Sequence, residues 1–288
     1  MLSAAIFPCF RLEQNHFPVL QYRMSKSQNV PVVLIFSGLD PSGGAGIQAD
    51  VETLASHGCH AAPVITALTA QDTSRVFEIV PVSANLLIEQ ARAVLEDMPV
   101  TTVKIGLLGS VATVEVIHSI LRDYPNIPVV LDPVLASGGD DPMSNQDIVD
   151  AMRSLLFPIS TVLTPNSPEA RKLAPQADNL QACAMELLDN GCEFVLITGT
   201  HEPGEEVINT LYGNHRKLEE FHWPRLPDHY HGSGCTLASS IAGLLAHGNE
   251  PMIAIHEAQQ YTWESLKNAY RVGMGQAIPN RLFWARTQ

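Results

Sequence analysis

Basic residues are scarce in this chain. Lysine and arginine number 17 against 30 aspartates and glutamates, a formal net charge of −13. A duplex nucleic-acid binder carries a basic patch, and no Lys/Arg cluster occurs here. The acidic balance also opposes docking on an anionic membrane. No apolar run reaches the roughly 20 residues of a spanning helix. The five cysteines, Cys9, Cys59, Cys183, Cys192 and Cys235, are odd in number and form no C-x-x-C pair. Neither a disulfide framework nor a zinc knuckle is indicated, and a reducing cytoplasm is the expected setting. The histidines lack metal-ligand spacing, which argues against an all-protein metal cage. No G-x-x-x-x-G-K-[ST] occurs, so the chain is not a P-loop NTPase. A nucleotide substrate stays compatible with the charge, because local amides and Mg²⁺ override the global field.

What is present is a chain of 288 residues, 45% hydrophobic and 16% charged, which fits a large globular core. From Pro31 onward, short β-branched runs alternate with helical patterns, as in a parallel sheet with helices on both faces. Strands are expected at 32–36, 62–68, 103–105, 129–131, 161–163 and 194–197, with an edge strand at 75–80. Helices are expected at 47–57, 86–95, 233–247 and 251–271, the first stopped by Gly58. Residues 207–212 and 217–221 are expected to pair as an antiparallel edge hairpin through Gly213-Asn214. There is no repeat or linker after residue 30, so 31–288 reads as one domain. Residues 1–30 break the pattern and read as a poorly ordered extension, with Met24 as an alternative start and a transit peptide as the lesser reading.

In such folds ligands gather at the carboxyl ends of the strands, and the unusual residues cluster there. The most informative is His231-Gly232-Ser233-Gly234-Cys235-Thr236. A glycine-rich turn opening a helix aims free N–H groups and the positive dipole end at one spot, which suits a phosphate. A helix N-terminus also lowers a thiol pKa, so Cys235 is expected to be an activated base; a buried, inert cysteine is the equally weighted alternative when the turn is taken alone. Gly44-Ala45-Gly46-Ile47-Gln48-Ala49 matches the dinucleotide pattern, but it lies too far past its strand and lacks the acid about 20 residues on. It reads better as a substrate wall where backbone approaches a small ligand. Gln71, after an apolar strand, carries an amide able to read an amino group and an adjacent ring nitrogen; an amide capping a loop is the commoner role. Asn166 and Glu169 share a helix face. Their spacing favours a cap over a hydrated Mg²⁺ site by about two to one, with Asp132 able to add charge to the latter.

Taken together, 40–50, 64–73, 104–108, 131–134, 164–169 and 231–236 resemble the hydroxymethylpyrimidine/phosphomethylpyrimidine kinases of thiamine biosynthesis, in the ribokinase-like superfamily. The resemblance runs from about Pro31 to the C-terminal region. It implies a three-layer α/β/α sandwich with a mostly parallel central sheet, use of ATP and Mg²⁺, and a homodimer. It implies phosphorylation of 4-amino-5-hydroxymethyl-2-methylpyrimidine and then of the monophosphate. Gln71, with Gly38, Asp40 and Leu107, would hold the aminopyrimidine. Cys235 would be the catalytic base, in the turn of Gly232, Ser233 and Gly234. Asp132, Asn166, Glu169, Thr198 and Gly199 would hold ATP, with Mg²⁺ met through water by Asn166, Glu169 and Asp132. The chain departs from the pattern at Leu39, where a small hydroxyl residue is usual, at Leu107, often methionine, and at Thr198, often lysine. The alternatives are a pyridoxal or pyridoxine kinase of the same superfamily, and a non-catalytic pyrimidine-binding sensor.

Overall fold

The computed structural model describes residues 30–135 and 146–285; the expected extension before Val30 lies outside them. Nine strands of the described residues form one sheet: β1 (Val32–Leu39), β2 (His60–Gln71), β3 (Val76–Pro81), β4 (Val100–Ile105), β5 (Val129–Leu131), β6 (Val162–Leu163), β7 (Phe194–Ile197), β8 (Glu206–Gly213) and β9 (Arg216–Pro224). Their order is β3-β2-β1-β4-β5-β6-β7-β8-β9. The six strands β2, β1, β4, β5, β6 and β7 are parallel to one another, while β3 and the β8–β9 hairpin run antiparallel at the two edges.

The sheet is covered on both faces, and the alternation of side chains decides which core each residue enters. Leu34, Phe36, Val103, Ile105, Val129 and Leu131 face one way, against α2 (Ala84–Asp97), α3 (Val111–Leu121), α4 (Gln146–Ala151), α5 (Ser167–Leu173) and α6 (Leu180–Asp189). Val33, Ile35, Val130, Val162, Leu196 and Leu211 face the other way, against α1 (Gly46–Ser56), α7 (Ser233–Ala246) and α8 (Pro251–Lys267). The result is a three-layer α/β/α sandwich with two hydrophobic cores. Each fully buried Leu, Ile or Phe contributes roughly 1.5–3 kcal/mol.

Three boundaries differ from the sequence reading, each for a local reason. The hairpin turn is Asn214-His215, both at positive φ (51° and 52°), as a type I′ turn requires; Gly213 stays in β8, paired with Arg216. β2 extends to Gln71, so Gln71 ends the strand rather than following it, and Pro63 sits inside it. Pro63 is tolerated because β3 covers only Ala67–Gln71, leaving that part of β2 without a second neighbour. Finally, α8 stops at Lys267 rather than Arg271. The chain there folds back through a Tyr270–Ile278 bridge, and the backbone around Gly275 comes so close to Thr73 that a Cβ would sit 2.3 Å from its carbonyl oxygen.

The strand order reverses about β1, which lies between β2 and β4. A crevice opens at such a switch point, beyond the carboxyl ends of the strands.

Candidate active site

The crevice is a cleft of about 320 Å³ lined from the ends of β1, β2, β4, β5, β6 and β7 and from the first turn of α7. It brings together Gly38, Asp40, Gln71, Leu107, Asp132, Asn166, Glu169, Thr198, Gly232, Ser233, Gly234 and Cys235. Gly199 is the exception. It stands behind the wall, its N–H donating to Asn209 Oδ1 at 3.1 Å, and a Cβ there would strike the Ile208 carbonyl oxygen at 2.1 Å.

One end of the cleft is organised by Asp40. This buried carboxylate accepts from Ser42 N (2.8 Å), Ser42 Oγ (2.9 Å), Ala45 N (2.8 Å) and His231 Nε2 (2.8 Å). The Gln71 amide lies close enough to favour its charge as well. Burial works against the charge, but the bonds from His231 and Ser42, with the nearby Gln71 amide, outweigh it and hold Asp40 well below the usual carboxylate range. Leu107 packs beside Gly38, where a Cβ would come within 2.8 Å of its Cδ2. His231, which carried no assigned role in the sequence, therefore links the glycine loop to the turn that follows it.

The Gly232–Cys235 turn lies against that loop. Gly232 has φ +83°, and a Cβ on it would fall 2.0 Å from the Gly44 carbonyl oxygen. A Cβ on Gly44 would fall 2.2 Å from His231 Cδ2. The two glycine-rich segments are thus in backbone contact, which only glycines permit. α7 begins immediately after, and no side chain caps it, so its first N–H groups face the cleft.

Cys235 and Asp132 form the floor. The thiol lies close enough to the Asp132 carboxylate to favour its charged form. The expectation of a lowered thiol pKa fails here. Burial pushes Cys235 up to about 12; nearby Lys104 opposes this, and Asp132 and Asp50 add to it. The helix N-terminus does not overcome desolvation beside two carboxylates. Asp132 is itself raised to about 6, first by burial, with Lys104 lowering it and Asp50 raising it.

Beneath the floor is an ion pair whose trace in the sequence is a lysine inside an otherwise apolar strand. Lys104 is fully buried and donates to Asp50 Oδ1 at 2.8 Å, which also accepts from Ser239 Oγ at 2.7 Å. Burial opposes the ammonium, but Asp50, Cys235 and Asp132 together hold its pKa above the ordinary value.

Asn166 and Glu169 form a capping box at α5. Asn166 Oδ1 accepts from Glu169 N (2.8 Å), and Glu169 Oε2 accepts from Asn166 N (2.9 Å). Glu169 Oε1 also accepts from Leu135 N at 3.4 Å. Its pKa rises to about 8, through burial and the nearby Asp132 charge. A carboxylate has four lone-pair sites, so capping leaves Glu169 able to face a ligand.

A family model described as phosphomethylpyrimidine kinase matches residues 40–280. A hydroxymethylpyrimidine/phosphomethylpyrimidine kinase of Haemophilus influenzae is 33% identical over 269 residues, 90% of this chain and 99% of its own. One from Mycobacterium bovis is 37% identical over 259 residues, 88% of this chain and 94% of its own. Among solved structures, phosphomethylpyrimidine kinase of Clostridium difficile has 32% identity and a TM-score of 0.70, covering 81% of this chain and 97% of that one. The ADP complex of Bacillus subtilis pyridoxal kinase has 25% identity and a TM-score of 0.82, covering 90% and 100%. With a family model spanning most of the residues and relatives above 30% identity along nearly their whole length, the chain belongs to the phosphomethylpyrimidine kinase family.

Proposed function

We propose that the protein transfers the γ-phosphoryl group of ATP to 4-amino-5-hydroxymethyl-2-methylpyrimidine, and a second phosphoryl group to the resulting monophosphate. The observation that carries the reading is one cleft with an amide reader at one end and an amide-lined turn, thiol and carboxylates at the other. Gln71 offers a carbonyl and an NH₂ in one plane, matching an exocyclic amine beside a ring nitrogen. The turn at Gly232–Cys235 offers N–H groups to the transferring phosphoryl oxygens. Cys235 takes the alcohol proton as its own moves to Asp132, the carboxylate beside it in the cleft. This relay replaces a preformed thiolate, which burial disfavours.

Asp132 and Glu169 suit a magnesium ion. Both are buried, both have raised pKa values, and the charge of Asp132 raises Glu169, so a hard divalent cation would relieve their repulsion. Bound there, Mg²⁺ supplies neutralisation of the charge developing on the phosphates. Asn166 would hold it through water. Exposed Leu68, Phe77 and Val80 on the β2–β3 edge support a homodimer, checked by light scattering. No helix among the described residues is long and apolar enough to cross a membrane.

The test offers the aminopyrimidine alcohol and pyridoxal separately with ATP and follows ADP, with mass detection of mono- and diphosphate products. The likeness to pyridoxal kinase makes pyridoxal the second substrate to try. Turnover of pyridoxal alone replaces this reading with that one, and binding of the aminopyrimidine without ADP release makes the protein a sensor.

A further inference from the structure

Arg281 lies one residue beyond the stretch that matches the family model, and the reaction described above does not use it. It is 1% exposed. Its guanidinium reaches three segments that are remote in sequence. Nε donates to Thr236 Oγ1 in the first turn of α7 at 3.0 Å, and Nη1 donates to Glu52 Oε2 on α1 at 3.1 Å. Nη2 donates to the carbonyl of Gly44 in the glycine loop. The Arg281 carbonyl is held by the Tyr261 hydroxyl of α8 at 2.7 Å. Thr236 in turn donates to the Gly232 carbonyl at 2.8 Å. A Cβ on Gly232 would lie 2.9 Å from Arg281 Nη2, so the guanidinium rests directly against the back of the anion turn.

The two glycine-rich segments meet backbone to backbone at this point, with the His231–Asp40 bond at one end of the contact and the Arg281 guanidinium behind it. Donors that stabilise a transition state act through preorganisation, so something must hold these amides still. We propose that Arg281 is a positioning residue for phosphoryl transfer, locking the Gly44 loop onto the Gly232–Cys235 turn and placing a fixed cation behind it. Its partner Glu52 also accepts from Gln48 Nε2 (2.8 Å) and is partly exposed while the guanidinium is buried, so solvent screens the carboxylate more than the cation. The three-way fork is a guanidinium property; an ammonium keeps the charge without the geometry. The proposal rests on the assignment of the turn to phosphates.

The experiment compares Arg281→Met and Arg281→Lys with the unaltered full chain. It measures kcat, ADP affinity and aminopyrimidine-alcohol affinity by calorimetry, and melting temperature. Arg281→Met is expected to lose kcat by roughly 100-fold, as misplacement of about 1 Å does, and to bind ADP about tenfold more weakly, with alcohol affinity nearly kept. Arg281→Lys is expected to recover ADP affinity but not kcat, because charge returns and the fork does not. If Arg281→Met does not fold, Arg281→Lys decides alone: a kcat loss with intact ADP and alcohol affinity supports the proposal, and an unchanged kcat overturns it. Lowered melting temperature with unchanged kcat and ADP affinity, or equal losses of ADP and alcohol binding, also overturns it. If the unaltered chain neither binds ADP nor turns over an alcohol, the kinase reading itself fails.

Discussion

Replacing Gly232 by alanine tests whether the contact of the two glycine-rich segments sets the reaction geometry. The new Cβ meets two separate obstacles. Gly232 has φ +83°, where an L-residue costs roughly 1–2 kcal/mol. The Cβ would also lie 2.0 Å from the Gly44 carbonyl oxygen, whereas real Cβ contacts essentially never fall below 3.0 Å. The turn or the loop must therefore shift by about 1 Å, and misplacement on that scale costs about 100-fold in rate. Gly248 supplies an internal control. It has nearly the same φ, +84°, and no atom within 4 Å of the added Cβ. Gly248→Ala should lose roughly 2–8 °C in Tm by strain alone while keeping kcat. Gly232→Ala should lose at least as much Tm and about two orders of magnitude in kcat. Thermal denaturation and steady-state ADP release measure both. If Gly232→Ala lowered Tm but kept kcat within a few-fold, as Gly248→Ala should, the close approach would have no role in chemistry.

Cys235→Ala should fold and bind the aminopyrimidine but lose about 10²–10⁴-fold in turnover, checked by kcat beside calorimetry; full activity would remove the thiol from the reaction. With its pKa pushed up to about 12, Cys235 in the wild type should react slowly with iodoacetamide through pH 9, and fast labelling at pH 7 would contradict the burial argument. Gln71→Leu removes both amide hydrogen bonds, each worth roughly 1–3 kcal/mol when the ligand edge is left unpaired; kcat/KM should fall for the aminopyrimidine much more than for pyridoxal, and equal losses would show that Gln71 does not read the ring. Lys104→Met strands the fully buried Asp50 and should cost roughly 3–5 kcal/mol, with Lys104→Met/Asp50→Leu recovering most of it in denaturant titrations. Glu169 is raised from 4.5 to about 8, so the fold favours its neutral form. Without metal, stability should therefore fall as pH rises from about 4.5 toward 8; Mg²⁺ or Glu169→Gln should flatten that slope in Tm-versus-pH curves, and a slope indifferent to both would separate Glu169 from the cation.

The sequence alone determined most of what is local. Continuous apolar runs marked β1, β5 and β7 as strands buried on both faces, because a parallel sheet hides both of its sides. Gly58 marked the end of α1, and the spacing of Asn166 and Glu169 carried the capping box that is present. The small and polar residues after successive strands marked the cleft, because parallel strands bring their carboxyl ends to one side. What the tertiary structure decided were pairings between positions far apart in the chain. Lys104 meets Asp50 across 54 residues, His231 meets Asp40 across 191, and Arg281 meets Gly44 across 237. No periodicity encodes such distances; they follow from the strand order that sets β1 between β2 and β4 and lays α7 beside α1. The state of Cys235 was hidden for the same reason. Its position at a helix start predicted a lowered pKa, but burial beside Asp132 and Asp50, which only the folded packing creates, reverses the sign.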